Sequence, residues 1–267
     1  MAQSIGIVGC GTIGQALMRA ADSGDLNVAV AGVTSRDEDK AHEFLDSLNN
    51  PPPYLSREQL IDKADLLVET AGGHIVAELA KETFAAGKDL MVISIGALLE
   101  YPEIIEEARK TGCRLIAPSG AIAGLDGIKS ACTGRVDQVT MISRKPPIGL
   151  EGAPHLIENE ISLDGLTEET EVFSGTAREA VKGFPANLNV SAAVSLAGVG
   201  ADRTMVKMLA VPGLERNCHD IEVLGEFGVL RIHIENVPSE NPKTGKLTSF
   251  SIIRSVQDAV DPFRIGT

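Results

Sequence analysis

The chain has 267 residues, 43% of them hydrophobic, enough for one large domain or two modest ones with real cores. Its formal net charge of -13 repels phosphate backbones and anionic lipid, so neither nucleic acid nor a membrane is an expected partner. Aromatic residues make up 3% and Trp is absent, leaving few platforms on which bases could stack.

Ser4 to Val8 reads as a short buried strand and Thr12 to Ser23 as a helix. Between them Gly9, Gly11 and Gly14 form a GxGxxG turn. A strand before and a helix after are the context in which that spacing binds a dinucleotide. The first glycine permits the tight turn, the second admits a pyrophosphate to the backbone, and the third lets helix and strand pack closely. The helix start, with Thr12 and Ile13, supplies N–H groups and a positive dipole end for the phosphates.

Leu26 to Val33 reads as the second strand. An Asp or Glu about 20 residues beyond the turn would hold the ribose hydroxyls of NAD. Here the strand end shows Thr34, Ser35 and Arg36, with Asp37 one step later. Arg36 is suited to a 2′-phosphate or to stacking on adenine, which leans towards NADP or use of both cofactors; a solvated turn arginine is the alternative. Helices over His42 to Leu48, Ile75 to Ala86 and Pro102 to Thr111 alternate with strands at Asp65 to Glu69, Asp89 to Ile95 and Arg114 to Ala117. Alternation at this pace predicts an α/β domain, a parallel sheet with helices on both faces, over residues 1–120.

The pattern changes near residue 120. A helix over Gly124 to Cys132 precedes a half-buried strand at Gln138 to Ser143 and a Gly/Pro-rich loop, Lys145 to Pro154. Ala177 to Lys182 and Val190 to Ala197 read as helices, and Val206 to Ala210, His219 to Glu226 and Gly228 to Glu235 as strands. Short turns between strands predict an α+β domain with a mostly antiparallel sheet over 121–240, for substrate binding and oligomerisation. A last amphipathic helix, Thr244 to Val260, is expected to return to the first domain, which the segment 241–267 would complete.

Four cysteines, Cys10, Cys113, Cys132 and Cys218, show no CxxC spacing, and only Cys218 neighbours a histidine. Free thiols, a reducing compartment and no metal centre follow. No basic leader precedes the first apolar run and no stretch is long enough to span a bilayer, so a cytoplasmic location is expected.

Five histidines are candidates for proton transfer. His42 lies on a charged helix face, His74 follows Gly72-Gly73 at a strand end, His155 sits in the Gly/Pro-rich loop, and His233 alternates with Ile232 and Ile234. His219 begins a strand and is a candidate base or only an edge residue. Arg144-Lys145 and Lys243 stand out in an acidic chain, as anchors for substrate carboxylates or as ordinary surface charge. Asn187 and Asn189 precede a helix of small residues; one is a candidate N-cap and the other a candidate ligand-facing amide.

Together these stretches resemble the L-aspartate dehydrogenase family over nearly the whole chain. The resemblance rests on Gly9-Cys10-Gly11-Thr12-Ile13-Gly14, Val92 to Ala97, Ser119 to Asp126, Ser143-Arg144-Lys145, Phe173 to Ala180, Phe184 to Gly198 and Asn241 to Thr244. It implies a Rossmann domain and a second α+β domain that carries the substrate site and the oligomer interface. It implies NAD or NADP as cofactor, contacts from Ala121 and Asn189 to it, and His219 as catalytic acid/base. The implied reaction is reversible oxidative deamination of L-aspartate to iminoaspartate, then oxaloacetate and ammonia, in a homodimer or larger homo-oligomer feeding NAD biosynthesis. His219 is expected to work near a neutral pKa. The departure is Thr34-Ser35-Arg36, where some members carry an acid, which bears on cofactor preference. The rival expectations are a dihydrodipicolinate reductase-like or homoserine dehydrogenase-like enzyme, and a non-catalytic NAD(P)H sensor, which would need neither His219 nor the basic anchors.

Overall fold

The computed structural model describes residues 3–185, 189–237, 245–263 and 265–266. The chain divides into two compact units, Met1–Pro118 with Ser249–Arg264, and Ser119–Thr248 with Ile265–Thr267. Asn187 and Lys243 lie outside the described residues, as does the start expected for the last helix at Thr244.

In the first unit β1 (Ser4–Val8), β2 (Ala29–Thr34), β3 (Leu66–Glu69), β4 (Asp89–Val92) and β5 (Leu115–Ile116) form a parallel sheet in the order β2-β1-β3-β4-β5. The crossovers carry α1 (Thr12–Ser23), α2 (Glu38–Leu45), α3 (Arg57–Lys63), α4 (Val76–Ala85), α5 (Ala97–Glu100) and α6 (Glu103–Thr111). Every residue of β3 is buried, as expected of a central parallel strand covered on both faces. Strand order reverses between β1 and β3, so the connections leaving their carboxyl ends part and open a crevice. The core gathers Ile5, Ile7, Leu17, Val33, Leu66, Val68 and Met91. Ile252, Val256 and Ala259, on one face of α11 (Lys246–Val260), join that core. Each fully buried aliphatic side chain contributes roughly 1.5–3 kcal/mol.

In the second unit β6 (Val136–Lys145), β7 (Thr170–Thr176), β8 (Thr204–Ala210), β9 (Asn217–Gly225) and β10 (Gly228–Asn236) form a sheet ordered β10-β9-β6-β8-β7. Three of the pairings are antiparallel, and β6 with β8 is parallel, joined by a long crossover through β7 and three α-helices. Helix α7 (Leu125–Ala131), the short α8 (Pro154–Glu158), α9 (Ala177–Gly183) and α10 (Asn189–Ala197) complete the unit. The buried small residues of α10 pack it against α7 and α9, which explains its composition inside one subunit.

Several elements depart from expectation; α5 and α8 are helices that the sequence reading does not contain, and three departures have a clear local reason. Helix α2 begins at Glu38 rather than His42, because the Asp37 carboxylate accepts the Lys40 N–H at 3.2 Å and caps the helix earlier. Helix α3 was not expected, although Ser56 and Gln59 write a capping box for it. Strand β7 was not expected either: a bulge between Glu171 and Phe173 breaks the alternation that marks a strand. Among the described residues no helix is long and apolar enough to cross a membrane.

Candidate active site

In the first unit the crevice is built by the glycine turn. Gly9 has φ of 115°, and a Cβ there would lie 2.8 Å from the backbone of Thr70 and Ala71. A Cβ on Gly14 would lie 2.1 Å from the Gly9 carbonyl oxygen, so only glycine lets α1 pack this closely on the turn. A Cβ on Gly11 would meet nothing within 4 Å, so the space above that backbone is open to a ligand. Gly11 caps α1 without a side chain, and the first turn, with Thr12 and Ile13, carries no acid. Its N–H groups and dipole therefore face an anion without competition from the protein. Gln15 Nε2 donates to the Cys10 carbonyl at 3.2 Å and Thr70 Oγ1 to the Gly9 carbonyl at 2.9 Å, which brace the turn. Gly9, Gly11, Ser35, Arg36 and His74 are among the residues lining a cavity of about 470 Å³. The donor set fits a dinucleotide.

At the far end of the crevice β2 stops at Thr34, and the Tyr54 hydroxyl donates to the Ser35 carbonyl at 2.7 Å, pinning the loop. Asp37, which follows, is committed to the α2 cap and to Lys40 Nζ at 3.0 Å. Arg57 also lines the cavity, but Glu78 and Glu82 engage it at 3.1 and 2.9 Å. Arg36 is exposed and, among the described residues, forms no ion pair. Of the two arginines among the described residues lining this cavity, Arg57 is held by carboxylates and Arg36 is not.

Glu69 was not singled out from sequence. It ends β3, is fully buried, and accepts from the N–H groups of Ala71, Gly72 and Ser94 at 2.8, 2.7 and 3.0 Å. Its second contact with Ser94, from Oγ at 3.1 Å, completes a carboxylate that ties the loop after β3 to the loop after β4. A charged residue closing an apolar strand was the signal.

In the second unit β6 and β9 pair so that Ser143 faces His219. Ser143 is fully buried and His219 is 2% exposed. Ser143 Oγ and His219 Nδ1 stand 2.6 Å apart, a hydrogen bond in which either group can donate. With Nδ1 engaged, Nε2 is the nitrogen left to exchange a proton. Lys145, two residues beyond Ser143 on the same face, is 3% exposed. Burial first, then the charge of Lys145, lower the His219 pKa from 6.5 to about 3, with Asp220 opposing. This corrects the expectation of a near-neutral pKa: the ring rests as neutral imidazole.

The structure does not bring Arg144 to this group. Strand alternation turns it to the other face, where its guanidinium is engaged by Asp220 and, at 3.0 Å, by Glu169. Asp220 also meets His233 Nδ1 at 2.6 Å, and that contact, with Glu235, raises the His233 pKa. His233 is thus an exposed ion-pair partner of the outer face. Arg144 and Lys145, adjacent in sequence, are separated by the pleat, and only Lys145 shares the His219 face.

Two further polar residues on the His219 face are Asn217, 2% exposed, and Asn236, 3% exposed. Asn236 Nδ2 donates to the Ala121 carbonyl at 2.7 Å, fixing the backbone of a residue for which cofactor contact was expected. Asn189 opens α10. His155 packs edge-on to the Phe173 ring at 5.1 Å and tilted on Phe184 at 5.5 Å, and His42 lies 5.0 Å from the Tyr54 ring and 3.5 Å from Glu38. Ser143 and Asn217 were not assigned roles from sequence. Their signal was the two-residue spacing from Lys145 and His219, hidden because the expected strands end at Ser143 and begin at His219, short of Lys145 and Asn217.

Residues 126–259 match the family model described as aspartate dehydrogenase, C-terminal, and residues 9–118 that described as homoserine dehydrogenase, NAD binding domain. An L-aspartate dehydrogenase of Methanosarcina mazei is 46% identical, covering 98% of this chain and 99% of its own. L-aspartate dehydrogenase 3 of Bordetella bronchiseptica is 42% identical, covering 98% and 97%. The crystal structure of aspartate dehydrogenase from Thermotoga maritima superposes with a TM-score of 0.77 at 25% identity, covering all of both chains. The first unit is accordingly a nicotinamide-dinucleotide-binding Rossmann domain, and the chain belongs to the L-aspartate dehydrogenase family.

Proposed function

We propose that the protein catalyses the reversible oxidation of L-aspartate by NAD(P)+ to iminoaspartate, NAD(P)H and a proton, water then releasing oxaloacetate and ammonia. The observation that carries this reading is the buried row of Ser143, His219 and Lys145 in a chain like aspartate dehydrogenases along its full length. NAD(P)+ supplies the hydride acceptor. Gly9, Gly11, Gly14, Thr12 and Ile13 would hold its pyrophosphate, Ser35 and Arg36 its adenosine ribose, and Ala121 and Asn189 further parts.

Lys145 is assigned to a substrate carboxylate, and Lys243 stays as the second cationic anchor, with Asn187 as a polar contact. A bound carboxylate offsets the Lys145 charge that depresses His219, so substrate itself raises the basicity of the ring. His219 Nε2 takes a proton from the substrate ammonium, and in the reverse sense returns it. Ser143 Oγ accepts from Nδ1–H and so holds the ring in the tautomer that leaves Nε2 free to take the proton. A lean towards NADP, or towards use of both cofactors, is read from Arg36, with Asp37 withdrawn into its cap.

The family model described as homoserine dehydrogenase, NAD binding domain, matches only the dinucleotide half, whereas residues 126–259 match the aspartate dehydrogenase model. The reading extends to a reducing, cytoplasmic setting, supported by four free thiols, and to supply of iminoaspartate for NAD biosynthesis. It extends also to a homodimer or larger oligomer, supported by exposed Met205, Phe227 and Val229 and testable by light scattering. The direct test measures initial rates of NADH and NADPH oxidation with oxaloacetate plus ammonium. Rates that require both co-substrates are expected; binding of NAD(P)H without turnover would overturn the proposal.

A further inference from the structure

A buried carbonyl oxygen without a donor is rare, because it has given up its water and gained no partner in return. Asn217 Oδ1 is such an oxygen: its residue is 2% exposed, and among the described residues no group donates to it. Asn217 stands two residues before His219 on β9, so the pleat puts both side chains on one face. Ser143 and Lys145 come to that face from β6. The site therefore holds a base, a cation and an unsatisfied acceptor.

These three have different tastes. The ammonium of Lys145 takes a carboxylate, and the imidazole takes a proton. A carboxamide oxygen accepts only from N–H or O–H and has nothing to offer a carboxylate. On a dicarboxylic amino acid the one group that presents N–H donors is the amine.

We propose that Asn217 is a substrate-specificity residue, whose Oδ1 accepts a hydrogen bond from the amino group of the bound substrate. It thereby selects an amino acid over the dicarboxylate of the same length that lacks the amine. The role also keeps the nitrogen beside His219, which must take its proton. The inference rests on the aspartate dehydrogenase reading.

The test compares L-aspartate with succinate, which carries both carboxylates and no amine. Dissociation constants for each are measured from the enzyme–NAD(P)H complex by nicotinamide fluorescence, in wild type, Asn217→Ala and Asn217→Asp. Asn217→Ala is expected to weaken aspartate about 10- to 100-fold and succinate less than about 3-fold, since one hydrogen bond to a charged group is lost. Asn217→Asp keeps an oxygen acceptor, so it retains the preference for aspartate even though its charge weakens both dicarboxylates. NAD(P)H binding reports whether each variant is folded. Equal weakening of both ligands in Asn217→Ala, unchanged preference there, or loss of preference in Asn217→Asp overturns the assignment. Wild-type protein that turns over no aspartate instead overturns the dehydrogenase reading, and this inference with it.

Discussion

His219 gives the protein a pH dependence of stability that its replacement should remove. The ring titrates at 6.5 in the unfolded chain and at about 3 in the fold, because burial and then the Lys145 charge disfavour the imidazolium. Between those values the unfolded chain binds one proton more than the folded chain, so acid favours unfolding. The contribution is fully present above pH 6.5 and is lost as pH falls towards 3, at about 1.4 kcal/mol per pH unit. Between pH 7.5 and 5.0 this one ring should cost about 2 kcal/mol. His219→Gln keeps a polar group of similar reach but does not titrate. Urea unfolding of both proteins at pH 7.5 and 5.0 isolates the ring, because the carboxylates are common to both. The wild type should lose about 2 kcal/mol more than the variant over that interval. Equal losses would mean that the ring is charged or solvated in the fold, and would refute the placement of a neutral imidazole between Ser143 and Lys145.

Other substitutions separate the parts of the site. Ser143→Ala should lower kcat about 10- to 100-fold with NAD(P)H binding unchanged, and Ser143→Thr should restore much of it; no change in kcat or its pH profile would remove Ser143 as the group that positions the ring. Gly14→Ala drives a methyl to 2.1 Å from the Gly9 carbonyl oxygen, so dinucleotide affinity should fall at least about 10-fold and Tm should drop; a variant that binds normally would show that the turn can yield. Arg36→Ser should weaken NADPH about 10- to 100-fold and NADH less than about 3-fold, measured by fluorescence titration; equal effects would assign Arg36 to adenine stacking or to solvent.

Much of this protein is legible in its sequence. The glycine turn of Gly9, Gly11 and Gly14 declared its use because a local backbone geometry demands glycine at fixed spacings, and the flanking strand and helix are local too. The alternation of β and α over residues 1–120 announced the parallel sheet for the same reason. The Ser56 capping box that starts α3 is equally local. What sequence could not decide is what depends on partners far along the chain. Ser143 and His219 lie 76 residues apart and meet only through the register of β6 on β9. Arg144 and Lys145 looked like one basic spot until the pleat sent them to opposite faces, one to Asp220 and Glu169, the other to His219. The protonation state of His219 follows from burial and from a neighbouring charge, neither of which a linear sequence contains. Local sterics write the elements into the sequence, whereas tertiary contact decides which of their side chains share a face, a charge and a proton.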